Sequence, residues 1–291
     1  MTKTFIATTA IAAAVLLSQP AAAGILYGHG SFDDTLYRID TTAQTVTAVG
    51  TSPAERYGPE IQMTPDGTNI YMFRQTFAQT SPLLSVDPSN GQTTASLTLS
   101  GYPQVPTQSN FTDTLTALEY ANGTLYGSAH WAGPEVIPGV LVSVDTGTGA
   151  LTTIGTMTGM NRPTGGMDYF NSTMYAVSST DNNDSSLYTV DLGTGAASLI
   201  AALTIGGNQA QSVTGLASVD GIMYGIVNNE ASKNLYAIDL ATGVMTAQFS
   251  LGVNMNSLTA QGTAAVPEPG MAAVLGLGVL GLRALRRRRA A

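Results

Sequence analysis

Between residues 24 and 265 the apolar positions come in short runs, often with a polar residue at every second place, and each run stops at a glycine, asparagine or aspartate. That is the pattern of half-buried strands bounded by tight turns. One phrase recurs five times: Leu36-Tyr37-Arg38-Ile39-Asp40, Leu83-Leu84-Ser85-Val86-Asp87, Leu141-Val142-Ser143-Val144-Asp145, Leu187-Tyr188-Thr189-Val190-Asp191 and Leu235-Tyr236-Ala237-Ile238-Asp239. Its aspartates are 47, 58, 46 and 48 residues apart. A turn such as Thr146-Gly147-Thr148-Gly149 follows most of them, then a Thr-rich strand such as Leu151-Thr152-Thr153-Ile154. A second phrase precedes each: Leu26-Tyr27-Gly28, Ile70-Tyr71-Met72, Leu125-Tyr126-Gly127, Met174-Tyr175-Ala176 and Met223-Tyr224-Gly225. In four of the five a turn leads into it, as in Asp66-Gly67, Asn122-Gly123, Asn171-Ser172 and Asp220-Gly221. Asp-Gly and Asn-Gly between short apolar runs are hairpin turns. A further strand lies upstream of each turn, for example Leu115 to Leu118 and Val213 to Leu216.

Each unit therefore holds four strands, a to d, in about 48 residues, which is the mark of a β-propeller blade. The expected fold is all-β, a five-bladed propeller of four-stranded blades. The repeated Tyr and Ile/Val positions are expected to pack between blades. The first unit begins at strand b, with Gly24-Ile25-Leu26-Tyr27. The last is followed by an orphan strand a, Asn256 to Ala260. The spare strand is expected to pair with the first and close the ring, which removes the open sheet edges. Residues 206–212 are expected as a loop between blades.

Both ends differ from this body. Residues 1–23 carry Lys3, an apolar run from Phe5 to Leu17, and the small residues Ala21-Ala22-Ala23, the order of a secretory signal peptide. At the other end Pro267-Glu268-Pro269 precedes an uncharged stretch from Gly270 to Leu282, then Arg283 and the run Arg286-Arg287-Arg288-Arg289. Such a stretch spans about 20 Å as a helix, short of the roughly 30 Å hydrocarbon core, so Arg283 must snorkel if the helix extends past it. The Arg cluster predicts a cytoplasmic anchor. The expected divisions are 1–23 signal peptide, 24–265 propeller, and 266–291 sorting signal with a transmembrane helix and Arg tail.

The order Pro-Glu-Pro, short apolar helix, Arg cluster resembles the PEP-CTERM sorting signal of Gram-negative bacteria. That resemblance implies recognition by an exosortase, cleavage near Pro267-Glu268-Pro269, transient anchoring in the inner membrane, and delivery to the cell surface or extracellular matrix. The blade phrases resemble those of YVTN-type and quinoprotein-like propellers. This second resemblance implies the fold and no activity, because its motifs are structural and no cofactor-ligating set matches.

Composition narrows the chemistry. There is no cysteine, so disulfides, thiolate metal sites and a cysteine nucleophile are excluded. The formal net charge of −8 argues against a nucleic-acid binder. That figure averages opposite parts, since five of the eleven basic residues lie in the Arg tail. The body alone has five basic residues, Arg38, Arg56, Arg74, Arg162 and Lys233, and is strongly acidic.

Four of these five fall on or beside loops joining strands b to c or d to a, as do His29, His130, Tyr57, Tyr102 and Trp131. Arg56, Arg74, His130, Trp131 and Arg162 are the candidate ligand residues: guanidinium groups pair with sugar carboxylates and an aromatic ring supplies a platform. Solvated loop charge accounts for the same residues. Asp181-Asn182-Asn183-Asp184 and Asp33-Asp34 are oxygen-rich, but the former lacks a calcium-loop spacing and reads as a solvated turn. Asn110, Asn122 and Asn171 fit a glycosylation sequon, which composition alone explains. No nucleophile elbow, phosphate loop or zinc-helix motif is present. No catalytic residue, metal or cofactor is assigned.

The expected function is therefore a non-enzymatic interaction or matrix module that binds acidic exopolysaccharide or surface proteins, with signal peptidase and exosortase as export partners. The alternative is a secreted propeller enzyme (lyase, hydrolase or quinone-dependent dehydrogenase) using His130 or His29. Convergence of both histidines and several acids on one pocket would favour the enzyme.

Overall fold

The computed structural model describes residues 24–31, 33–51, 60–63, 67–73, 82–103, 113–131, 138–160, 164–179, 184–228, 231 and 233–261. Blade 1 contains β1 (Ile25–Gly30), β2 (Thr35–Asp40) and β3 (Thr45–Thr51). Blade 2 is β4 (Glu60–Met63), β5 (Ile70–Phe73), β6 (Pro82–Val86) and β7 (Thr93–Thr98). Blade 3 is β8 (Asp113–Ala121), β9 (Thr124–Trp131), β10 (Val140–Val144) and β11 (Leu151–Thr156). Blade 4 is β12 (Thr164–Phe170), β13 (Thr173–Ser179), β14 (Ser185–Val190) and β15 (Ala197–Ala202). A small hairpin, β16 (Thr204–Ile205) and β17 (Asn208–Gln209), precedes blade 5, which is β18 (Val213–Val219), β19 (Ile222–Val227), β20 (Asn234–Ile238) and β21 (Val244–Ser250). The last strand is β22 (Met255–Ala260).

The protein is a five-bladed β-propeller. Strand β22 pairs antiparallel with β1, Tyr27 opposite Thr259 and Gly28 opposite Leu258, so blade 1 is assembled from both ends of the chain. Gln261 N donates to Ile25 O at 2.8 Å and extends that pairing by one bond. The innermost strands β22, β4, β8, β12 and β18 follow one another around the axis and close the ring.

Alternation along each strand explains why one sheet needs two neighbours. Tyr27 packs with Ile61, Ile70 and Met72 of blade 2, whereas the adjacent Leu26 packs with Ala217, Tyr224 and Leu235 of blade 5. A corresponding apolar cluster fills each of the five interfaces between blades, as the sequence pattern implies.

The repeated aspartate closes the turn between strands c and d. Asp145 Oδ1 accepts from Gly147 N and Thr148 N at 2.8 and 2.9 Å, and Asp191 and Asp239 do the same two and three residues on. This is an Asx-turn, and its backbone donors hold the carboxyls of Asp145 and Asp239 below the usual range; at Asp191 the Thr194 hydroxyl is the largest contributor. The same turn locks blades together. Gly149 has φ +75, and a Cβ there would overlap the Thr98 carbonyl oxygen of blade 2.

One expected loop is ordered differently. Residues 204–209 form the β16–β17 hairpin, and β16 runs parallel to β21 on the outer edge of blade 5. Gly206 and Gly207, at φ +58 and +83, supply the left-handed turn, while buried Leu203 and Ala210 pin both arms. Blade 5 therefore carries a six-stranded sheet. The signal segment, the Pro267-Glu268-Pro269 motif, the apolar stretch and Arg286 to Arg289 lie outside the described residues.

Candidate functional site at the mouth of the central channel

The inner strands carry one repeated polar position. Opposite the strand-b tyrosines stand Thr259 (Tyr27), Gln62 (Tyr71), Glu119 (Tyr126), Asp168 (Tyr175) and Ala217 (Tyr224). All five are buried, and four of them are polar. Each follows a buried apolar residue: Leu258, Ile61, Leu118, Met167 or Leu216.

Two of these positions are carboxylic acids in neighbouring blades, and they do the same thing. Asp168 Oδ1 accepts from the backbone N–H of Ser218 in blade 5 at 3.0 Å. Glu119 likewise accepts from the backbone of Tyr169 in blade 4. The donor in each case follows the equivalent position of the next blade. An inner strand presents unpaired backbone groups to the channel, and a carboxylate from the preceding blade satisfies one of them.

Burial makes these acids unusual. Glu119 is pushed well above the ordinary carboxyl range by desolvation and then by the charge of Asp168, against the opposing backbone donors of Tyr169 and Tyr120. Asp168 is raised to about 6, again by desolvation, opposed by its bonds from Ser218. Desolvation thus favours the protonated form of both carboxyls. Asp168 Oδ2 has no hydrogen-bond partner among the described residues.

Both acids line a cavity of about 580 Å³ at the end of the channel where strand a turns into strand b. Gln62, Tyr120, Tyr169, Phe170 and Asp220 complete much of its wall, and among the described residues no Lys, Arg or His lines it. The local turns set its rim. Asn122-Gly123 and Asp220-Gly221 both take positive φ, +51 and +80, +54 and +81, as a type I′ hairpin requires. Asn122 Oδ1 also accepts from the Tyr169 hydroxyl at 3.2 Å, which ties blade 3 to blade 4 at the rim. Chemically the cavity offers two buried carboxyl groups and aromatic walls.

The residues singled out from sequence lie elsewhere. Arg56, Arg74 and Arg162 fall outside the described residues. Trp131 ends β9 at the opposite end of blade 3, and His130 precedes it, its backbone opposite Thr114. His29 lies in β1 of blade 1, fully buried. Burial pushes its imidazole down to about 4, against the charge of Asp33 and a hydrogen bond with the Gly30 backbone. Blades 1 and 3 do not adjoin, so the two histidines are not brought onto one inter-blade face. Among the described residues no group of three His, Asp or Glu side chains is arranged to hold a metal ion. Arg38 makes a long, half-exposed ion pair with Asp40.

Comparison with known proteins adds little chemistry. Residues 125–266 match the family described as a repeat of unknown function, DUF6923. The match begins at strand b of blade 3 and ends just beyond β22. No curated protein matches the chain in sequence. Among solved structures, a glutaminyl cyclase of Myxococcus xanthus is 14% identical with a TM-score of 0.43, over 80% of this chain and 73% of that one. A Bacteroides ovatus protein titled xyloglucan PUL GH43B is 15% identical with a TM-score of 0.43, over 62% of this chain and 38% of that one. A protein of unknown function from Bacteroides caccae is 11% identical with a TM-score of 0.47, over 82% of this chain and 99% of that one. At these scores the likenesses transfer neither a residue nor an activity.

Proposed function

We propose that the chain is an exported, exosortase-sorted propeller that serves as a non-enzymatic interaction module of the cell surface or extracellular matrix. One observation carries this reading. Strand β1 opens at Ile25, directly behind Ala21-Ala22-Ala23, and β22 ends at Ala260, ahead of Pro267-Glu268-Pro269. Every strand used in ring closure lies between the two signals. Signal peptidase and exosortase could each remove an end without taking a ladder hydrogen bond from the body. A closed ring without cysteine also suits a chain that meets an oxidising exterior.

In this reading Arg286, Arg287, Arg288 and Arg289 hold the precursor transiently at the inner membrane. Arg56, Arg74, His130, Trp131 and Arg162 are the residues that contact acidic exopolysaccharide, through guanidinium–carboxylate pairing and an aromatic platform. The test is expression of the full chain in an exosortase-bearing Gram-negative host, followed by fractionation. The processed protein is expected at the surface or in the matrix, and deletion of Pro267-Glu268-Pro269 should leave it in the inner membrane. An unchanged distribution overturns the sorting reading. A glycan array blank for acidic polymers overturns the ligand.

The Glu119–Asp168 pair favours a second reading, a secreted hydrolase. Two neighbouring buried carboxyls, both raised above their ordinary range, are the kind of pair that general acid–base cleavage uses. Glu119→Gln should then abolish turnover of whichever glycoside in a substrate panel the protein cleaves, and no turnover across the panel removes this reading.

A further inference from the structure

We propose that Asp220 is a docking carboxylate for the chain's own α-amino group, created when the signal peptide is removed after Ala23. The inference rests on the export reading above and adds a binding site to it. Gly24 is buried, and its carbonyl is held twice by Thr41, from the backbone N–H at 2.9 Å and from the hydroxyl at 3.0 Å. A Cβ at Gly24 would overlap Asp220 Oδ2 and come within 2.5 Å of Thr41 Oγ1. Standard backbone dimensions then bring the Gly24 nitrogen within about 5 Å of the carboxylate. Before processing that nitrogen is a neutral amide. After processing it is an ammonium.

The surroundings suit an ammonium. Val219 stands against Gly24 on the apolar side. The titratable groups facing it are Asp220 and Tyr224, the latter bonded to Thr41 and within reach of the Asp220 charge. Asp220 also lies on the wall of the acidic cavity, which no basic side chain lines among the described residues. An ammonium there is attracted by the Asp220 carboxylate. The steric fit supplies a second, independent reason for Gly24: any side chain at the new first residue displaces the carboxylate. Ring closure depends on β1, which pairs with β22 immediately after Gly24. Processing therefore adds a charge pair between blade 1 and blade 5 at the seam where the two chain ends meet.

The experiment uses the processed chain purified from an exporting host. Intact mass first gives the N-terminus; a start other than Gly24 overturns the export reading, and the docking falls with it. The native protein is then acylated near neutral pH, and labelling is read by peptide mass. Lys233 carries the one side-chain amine left after processing and serves as the internal reference. A carboxylate that raises the amine by one pKa unit lowers its reactive fraction about tenfold. Gly24 labelling, relative to Lys233, is thus expected about tenfold slower in the wild type than in Asp220→Asn. Equal rates overturn the proposal. Asparagine tolerates the left-handed backbone at position 220, φ +54. Should that variant fail to fold, the melting temperature of the wild type before and after α-acetylation decides: a drop supports the docking, and no change overturns it.

Discussion

Asp168 of blade 4 binds the backbone N–H of Ser218 in blade 5 through one carboxylate oxygen, while its other oxygen, on the wall of the channel cavity, has no partner among the described residues. Structure and reactivity thus meet in one side chain. The first oxygen fastens two blades. The second keeps a charge in a dry place, which raises the carboxyl to about 6.

That charge has a cost that depends on pH. The folded value of about 6 lies above the ordinary carboxyl value of 3.8, so the folded state holds the proton more tightly. Stability contributed by the protonated form is present at low pH and is lost as pH rises from about 4 through about 6. Asp168→Asn keeps the acceptor for Ser218 and removes the charge. Urea unfolding at a series of pH values should therefore show the variant gaining on the wild type across that window, by roughly 1–3 kcal/mol at neutral pH. A constant difference between the two contradicts the assignment.

His29 works in the opposite direction. Burial lowers its folded value to about 4, below the ordinary imidazole value of 6.5. The unfolded chain takes up the proton first, so this contribution is present above about 6.5 and is lost as pH falls toward about 4. Proton NMR of the imidazole should show His29 neutral down to about pH 4 in the native protein. A midpoint near 6.5 would mark His29 as solvated, contrary to its position inside blade 1.

Two glycines separate backbone strain from contact between blades. Gly123 has φ +80 and open space around it, whereas Gly149 has φ +75 and faces the Thr98 carbonyl. Gly123→Ala should cost about 1–2 kcal/mol, the strain of a left-handed alanine. Gly149→Ala carries the same strain and an overlap with blade 2, so it should lose roughly 1–3 kcal/mol more. Equal losses in chemical denaturation would contradict the role of the Asp-turn as a lock between blades.

The closing strand has its own test. Leu258 is 3% exposed and sits between blades 1 and 5 with Leu26 and Met255. Leu258→Ala should destabilise by about 2–5 kcal/mol, the range for a large buried aliphatic side chain. A loss below about 1 kcal/mol would mean that β22 is not part of the core.

Much of this architecture was legible from the chain because the repeat writes it five times. The Leu-Tyr-x-Ile/Val-Asp phrase located strand c and its turn, and the unmatched strands at both ends pointed to closure. The acidic mouth was not picked out. Its signal is faint: a polar residue after one apolar residue of strand a, as in Leu118-Glu119, Met167-Asp168, Ile61-Gln62 and Leu258-Thr259. Within one strand such a residue looks like the exposed half of an alternation. Only the stacking of blades buries it, and stacking is a tertiary fact. The β16–β17 hairpin was missed for a related reason, since Gly206-Gly207 announces a turn without saying that its arms will dock on blade 5. Arg and His on the long connections stand out in the sequence as charge, whereas Glu119 and Asp168 sit inside strands whose pattern hides them.

Every strand of the ring lies between residues 24 and 261, inside both cleavage points of the proposed export route. Intact mass of the protein recovered from the surface fraction of a producing Gram-negative cell tests this directly. A chain that starts at Gly24 and ends near Pro267-Glu268-Pro269 is the predicted result. A chain that keeps Met1 and the Arg286 to Arg289 run, recovered from inside the cell, would contradict it.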